Sequence, residues 1–131
     1  MNIGNRFLGI DYGIKRVGVA ISDEEGRIAF PKTVLQNDTY LLGSIKQFCD
    51  DENIVGIVIG ESKDYKGKPN SIMEDIWYFK KMLENDKAVP VYLEPEFMTS
   101  VQARHIQGNI KNLDASAATI ILQSFLDKRA K

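Results

Sequence analysis

The chain has 131 residues, of which 44% are hydrophobic and 27% are charged, and its formal net charge is −1. This composition predicts one soluble globular domain over residues 1–131. It excludes a helical membrane span, because the longest apolar run, Ile54 to Gly60, is far shorter than the ~20 residues that a bilayer requires. The N-terminal residues lack the apolar core of a signal peptide and Cys49 is the only cysteine, so we expect a cytoplasmic protein without an internal disulfide bond.

The first third of the chain is predicted to form three antiparallel strands, at residues 7–12, 17–22 and 27–35. Short turns that contain Gly13 and Gly26 separate them, and glycine accepts the backbone angles that such turns need. Pro31 has no amide hydrogen to donate, which predicts that the third strand lies at a sheet edge or carries a bulge.

The rest of the chain alternates helices and strands. We expect a helix capped by Asp38 or Thr39 and ending near residue 51, a fully covered strand at 54–59, and a lysine-rich loop at 62–70. A helix at 71–85, a strand at 89–93 and helices at 99–107 and 114–128 follow. This order predicts an α/β protein with a mixed five-stranded sheet, in which a three-strand antiparallel meander is joined by two parallel strands and covered by helices on both faces.

Acidic residues follow several of the predicted strands. Asp11 ends the first strand, Glu61 the fourth, Glu94 and Glu96 the fifth, and Asp114 opens the last helix. Sites in such sheets form beyond the carboxyl ends of the strands, and clustered carboxylates suit Mg²⁺ or Mn²⁺. Each acid also has an ordinary interpretation, such as a hydrogen bond to the turn for Asp11 or a helix cap for Asp114.

Four segments together resemble the YqgF family, whose members are described as candidate Holliday junction resolvases or candidate pre-16S ribosomal RNA nucleases. Residues 7–23 resemble the N-terminal signature of that family, and residues 114–123 resemble its C-terminal signature. Residues 57–60 and 99–103 match the intermediate blocks in order and spacing. The resemblance covers residues 6–127 and implies a ribonuclease H-like fold with metal-dependent endonuclease activity on structured nucleic acid.

The same resemblance implies a set of metal ligands. The first acid of the family falls on Asp11 and the last on Asp114, while the middle acid falls on Glu96 in a triplet that departs from the family pattern at Pro95 and Phe97. Glu61 competes for the middle role, because the fourth strand of this fold lies beside the first, at a spacing of ~4.8 Å. Both remain candidates, with Glu96 ranked slightly higher.

Lys15, Arg16, Lys63 and Lys66 are the candidate phosphate contacts. The expected partners are an RNA precursor or branched DNA and ribosomal particles, bound by a monomer or a weak homodimer. Maturation of the 5′ end of pre-16S rRNA is the leading function, and resolution of DNA junctions is an alternative that favours a dimer. A catalytically impaired binding module is a second alternative, and a nucleotide-binding fragment related to actin-like ATPases is a third.

Overall fold

The computed structural model describes residues 4–61, 72–86, 89–95 and 115–129. The elements in chain order are β1 (Arg6–Tyr12), β2 (Arg16–Ser22), β3 (Ala29–Gln36), α1 (Leu41–Asp51), β4 (Ile54–Gly60), α2 (Ile72–Asp86), β5 (Val91–Glu94) and α3 (Ala115–Arg129). The helix expected at residues 99–107 and the lysine-rich loop at 62–70 lie outside the described residues. Four of the predicted site residues lie outside them too, namely Lys63, Lys66, Glu96 and Asp114.

The five strands form one sheet in the order β3-β2-β1-β4-β5. The β1, β2 and β3 strands are an antiparallel meander, whereas β4 pairs parallel to β1 and β5 pairs parallel to β4. The predicted mixed sheet is therefore confirmed. Because β1 is the central strand, it can be covered on both faces. The parallel strands β1, β4 and β5 place their carboxyl ends at one edge of the sheet.

Two apolar layers cover the sheet. Leu8 and Ile10 of β1 pack with α1 and α2 on one face, through side chains such as Ile45 and Ile76. On the other face, Phe7 packs with Leu122 and other residues of α3. Because successive side chains of a strand point to opposite faces, this alternation assigns every residue of β1 to one of the two layers.

A glycine allows α3 to approach β1 closely. A Cβ atom built at Gly9 would lie 2.7 Å from Cβ of Leu122 and 3.0 Å from the backbone oxygen of Ala118. The first distance is shorter than real Cβ contacts and the second is at their tight limit, so a larger residue at position 9 would push the helix away from the sheet.

Two predicted starts, those of the third strand and of the first helix, need correction. The third strand begins at Ala29 rather than at residue 27, because the amide hydrogens of Arg27 and Ile28 are used in a turn by the Asp23 carboxylate. Asp38 and Thr39 do not cap α1, which begins at Leu41 without a side-chain cap. Instead, the Asp38 carboxylate accepts a hydrogen bond from the Tyr40 amide in the preceding turn.

The fifth strand starts at Val91 rather than at residue 89 and extends to Glu94. The Pro31 expectation is confirmed, since β3 is an edge strand and its register with β2 shifts where Pro31 faces Ala20. In the described ranges, no helix combines the length and apolarity that a bilayer crossing demands.

Candidate active site

Asp11 lies at the carboxyl end of the central strand β1 and is half-buried. Phe7 belongs to the layer formed with α3, and Gly9 lies against the same helix. Since Asp11 is two residues beyond Gly9, its side chain lies on the α3 face. The next residue, Tyr12, packs on the opposite face, where its ring centroid lies 5.1 Å from that of Phe79.

Glycines flank Asp11 on both neighbouring strands. Gly18 of β2 is its direct partner in the antiparallel ladder. In the parallel ladder Ile10 faces Ile59, and the same register continued by one residue sets Gly60 of β4 beside Asp11. Neither neighbour has a side chain, so no side chain of an adjacent strand residue lies directly beside the Asp11 carboxylate. Sequence reasoning missed these two glycines, because their role depends on strand register.

The first turn of α3 lies at the Asp11 end of β1. The Phe7 and Phe125 ring centroids are 5.6 Å apart, whereas Gly9 lies against Leu122 and Ala118. Residues later in β1 therefore contact residues earlier in α3, so the strand and the helix run in opposite directions. Two strand residues and four helix residues each cover ~6 Å. The same progression brings the beginning of α3 to the level of Asp11. Asp114 precedes Ala115 in the chain, although its own position lies outside the described residues.

Glu61 comes directly after β4, which lies beside β1 as predicted. Its amide hydrogen-bonds the backbone oxygen of Glu94 at 2.8 Å, so the β4–β5 ladder extends to this residue. The residue one strand spacing from Asp11 is Gly60, however, and not Glu61. Because Ile57 and Ile59 pack with α1 and α2, continued alternation would direct the Glu61 side chain to that face, opposite to Asp11.

Glu94 ends β5 and its side chain is only 3% exposed. Its Oε2 accepts hydrogen bonds from Ser124 Oγ at 2.7 Å and from Lys128 Nζ at 2.6 Å. The carboxylate thus joins β5 to α3, and an unpaired buried charge is avoided. This arrangement argues against Glu94 as a metal ligand.

Lys15, in the turn between β1 and β2, and Arg16, the first residue of β2, are both exposed. Neither side chain forms an ion pair within the described part of the chain. Two uncompensated cations close to the candidate site make a surface to which phosphate is attracted.

A cleft of about 590 Å³ lies at the opposite, amino end of the sheet. Its lining includes Arg6, Glu24, Glu25 and Arg27, which form two ion pairs of 3.5 and 3.4 Å with one another. The charges of these four residues compensate each other, and the cleft is separated from Asp11 by the length of β1. We therefore assign the candidate active site by chemistry and not by cavity size.

No three acidic, histidine or cysteine side chains converge on a common point within residues 4–61, 72–86, 89–95 and 115–129. Two of the three predicted ligands, Glu96 and Asp114, lie outside these ranges. The three-acid set accordingly stays a prediction. Asp11 is its described member, and a half-buried carboxylate between two glycines is a suitable ligand for a hard divalent cation.

Solved structures define the class of fold. The Thermus thermophilus RuvC structure superposes with a TM-score of 0.67 at 14% sequence identity, covering 95% of this chain and 96% of that one. The fowlpox virus resolvase, solved with substrate Holliday junction DNA, superposes with a TM-score of 0.61 at 14% identity, covering 96% and 99%. The sheet of this protein thus has the ribonuclease H-like fold of these resolvases.

The chain belongs to the RuvX family, described as Holliday junction resolvase, whose model matches residues 5–128. A relative from Protochlamydia amoebophila is 34% identical, with 95% of each chain covered, and one from Amoebophilus asiaticus is 37% identical, with 92% and 93% covered. Both relatives are named "Putative pre-16S rRNA nuclease". The resemblance to the YqgF family is thereby confirmed.

Proposed function

We propose that this protein is a metal-dependent endonuclease that hydrolyses phosphodiester bonds in structured nucleic acid, with 5′ maturation of pre-16S rRNA as its main role. The family description and the name shared by the relatives support this activity and this substrate. The observation that carries the proposal is Asp11, which is half-buried at the carboxyl end of the central strand and flanked by glycines, with Lys15 and Arg16 exposed close to it in the chain.

In this proposal Asp11 and Asp114 hold the metal, and Glu96 completes its ligands. Glu61 is the weaker candidate for that third position, because the pleat of β4 favours the other face of the sheet. When bound there, Mg²⁺ or Mn²⁺ would supply Lewis-acid chemistry, namely activation of a water and stabilisation of the leaving oxygen. The scissile phosphate binds beside Asp11, and Lys15 and Arg16 hold neighbouring phosphates together with Lys63 and Lys66.

Cleavage of branched DNA is the second candidate function, and the description of the family favours it. Symmetric cutting of a four-way junction would require two active sites and therefore a dimer, whereas trimming an RNA precursor on a ribosomal particle would not. Sedimentation of the protein with and without a junction would distinguish a monomer from a weak homodimer. A cytoplasmic location is part of the same proposal.

The test compares the wild type with Asp11→Asn on two substrates, an RNA that spans the 5′ boundary of 16S rRNA and a four-way DNA junction. We expect cleavage in Mg²⁺ or Mn²⁺ to fall by about 10²–10³-fold, the loss typical of removing one group that stabilises transition-state charge. Asp23→Asn is the matched control, since it makes the same change at the other end of the sheet. Equal activity of Asp11→Asn and the wild type would refute the assignment.

Calorimetric titration with Mn²⁺ separates the enzyme from a catalytically impaired binding module. The enzyme should bind Mn²⁺ in an Asp11-dependent manner. A protein that binds nucleic acid but neither binds Mn²⁺ through Asp11 nor cleaves either substrate would instead be the impaired module that Pro95 and Phe97 suggest.

A further inference from the structure

The β5 strand is an edge of the sheet, and half of its backbone groups point away from β4. The backbone oxygens of Pro90 and Glu94 accept hydrogen bonds from the β4 side, at 3.0 and 2.8 Å. Because successive residues of a strand direct their backbone groups to opposite sides, the amides and oxygens of Val91 and Leu93 point outward. Among the described residues, no further strand lies beyond β5.

The two edges of the sheet differ in how they are protected against pairing with another strand. Proline, irregular register and exposed lysine all discourage such pairing. The β3 edge has all three, since its register with β2 shifts where Pro31 faces Ala20 and Lys32 is exposed. The β5 edge has none of them between Val91 and Glu94, where its register with β4 is regular.

A groove of about 580 Å³ follows the β5 edge. Its floor is β5 itself, and its walls come from α2 on one side and from α3 on the other. Tyr92 is 39% exposed, and its ring centroid lies 5.0 Å from that of Phe125. The lining residues are Lys80 of α2, Val91 to Glu94 of β5, and Phe125, Lys128 and Arg129 of α3.

The charge of this groove is positive, because the described lining holds three cations and one carboxylate. Arg129 lies 4.7 Å from the ring centroid of Phe7 and forms no ion pair within the described residues. Lys128 bonds the buried Glu94, yet 61% of its own side chain is exposed. Lys80, on the other wall, is paired within α2. The groove therefore favours an acidic ligand, and pairing of two β5 edges would bring like charges together.

The chemistry of the groove selects its occupant. Outward-facing amides and carbonyl groups along a sheet edge pair with the backbone of another extended strand. A residue of that strand beside Tyr92 points to the same face, where an apolar side chain would contact the rings of Tyr92 and Phe125. Carboxylates on the added strand would pair with Lys128 and Arg129. Nucleic acid offers phosphate acceptors to the cations, but its backbone lacks the regular donors that the outward carbonyl oxygens require.

We propose that the β5 edge is a docking site for an extended, acidic peptide segment of a partner protein, which adds a strand to the sheet. Backbone hydrogen bonds to Val91 and Leu93 hold the segment, the ring of Tyr92 contacts an apolar side chain, and Lys128 and Arg129 pair with carboxylates. This inference goes beyond the proposed function and does not depend on it, since β5 lies two strand spacings, about 10 Å, from β1.

The first experiment measures binding of labelled peptides to the wild type by fluorescence anisotropy. The main probe is a peptide of about eight residues, ample for a strand, in which valine and glutamate alternate. A matched peptide in which lysine replaces glutamate should not bind. N-methyl groups on every second amide remove hydrogen-bond donors, and we expect them to weaken binding by about tenfold in only one of the two alternate sets, because one edge of an added strand faces β5.

The second experiment tests the side chains of the groove with the valine–glutamate peptide. Tyr92→Ser should weaken binding by about fivefold, the loss expected for an aromatic contact. Arg129→Gln should weaken it by about threefold, as for an exposed ion pair. Tyr78→Ser and Arg27→Gln are the matched controls and should bind as the wild type does, since Tyr78 is 67% exposed on α2 and neither residue lines the groove.

Four results would overturn the proposal. They are no binding of the valine–glutamate peptide, equal binding of the lysine peptide, equal effects of the two N-methyl sets, and displacement of the peptide by single-stranded RNA. A dimer in sedimentation that Tyr92→Ser dissociates would assign the edge to a second copy instead. The N-methyl comparison uses only the wild type, so it decides the question even if Tyr92→Ser fails to fold. Cleavage that depends on Asp11 is unaffected by any of these outcomes.

Discussion

The two turns of the antiparallel meander use similar residues in opposite ways. The β2–β3 turn satisfies its own polar groups, since the Asp23 carboxylate accepts from the amides of Arg27 at 2.8 Å and Ile28 at 3.1 Å. Its Gly26 has a φ of 69°, a backbone conformation that favours glycine. The β1–β2 turn is instead held by Asn37, which belongs to a different connection.

The two turns also differ in whether their charged side chains form ion pairs. At the amino end of the sheet, Arg6 pairs with Glu24 and Arg27 pairs with Glu25. At the carboxyl end, Lys15 and Arg16 have no ion-pair partner among the described residues. A turn with internal bonds and compensated charge is a structural connection, whereas a turn fixed from outside keeps its own charges available for a ligand.

Beyond the loss of cleavage expected for Asp11→Asn, the largest effect should come from Gly9→Ala. The added methyl group would meet Leu122 and Ala118, and such overpacking typically costs about 1–3 kcal/mol. Because α3 reaches the level of Asp11 by packing on Gly9, cleavage should fall as well. Urea unfolding and the cleavage assay measure the two effects.

Gly43→Ala is the control for this prediction. Gly43 lies in α1 with no atom within 4 Å of a built Cβ, and alanine should stabilise the helix by about 0.5–1 kcal/mol. If Gly9→Ala is as stable and as active as the wild type, the close contact of α3 with β1 does not position the first turn of α3 beside Asp11.

A smaller effect is expected from removing one cation of the β1–β2 turn. Arg16→Gln should weaken nucleic-acid binding uniformly across sequences, by a fewfold, and lower the salt dependence of log K by about one unit, as for a lost phosphate contact. Arg27→Gln makes the same change in the compensated turn and should leave both quantities unaltered. Binding isotherms at several salt concentrations test this pair, and equal slopes for the two variants would contradict the comparison.

The smallest effect concerns Asp23, whose pKa is lowered from 3.8 mainly by the hydrogen bond from the Arg27 amide and then by that from Ile28. A carboxyl group with a lowered pKa in the folded state stabilises the protein above its unfolded pKa and loses that contribution as the pH falls below about 4. Asp23→Asn should therefore be less stable than the wild type at pH 7.

The difference in stability should shrink progressively as the pH falls below about 4, which urea unfolding at several pH values would measure. A difference that does not shrink as the pH is lowered would show that the Asp23 charge does not support the turn. Cleavage by Asp23→Asn at pH 7 should equal that of the wild type.

Particular residues show how far sequence reasoning reached. Apolar runs bounded by turn residues predicted β1 and β2, and the continuous apolar run at β4 predicted a strand covered on both faces, because such runs reflect burial directly. The start of α1 was wrong, since Asp38 and Thr39 favour caps in general and the choice among local hydrogen bonds depends on the turn that precedes the helix.

The amino-acid sequence by itself determined the order of strands and helices and placed Asp11 at the carboxyl end of β1, because apolar periodicity and turn residues act locally along the chain. Only the tertiary structure decided that Gly18 and Gly60 flank Asp11, that Asn37 holds the β1–β2 turn, and that Glu94 is bonded to Ser124 and Lys128. These are contacts between distant segments, and strand register and helix packing must be set before they exist. One step of register would exchange the faces of Gly60 and Glu61, and no local pattern records that choice.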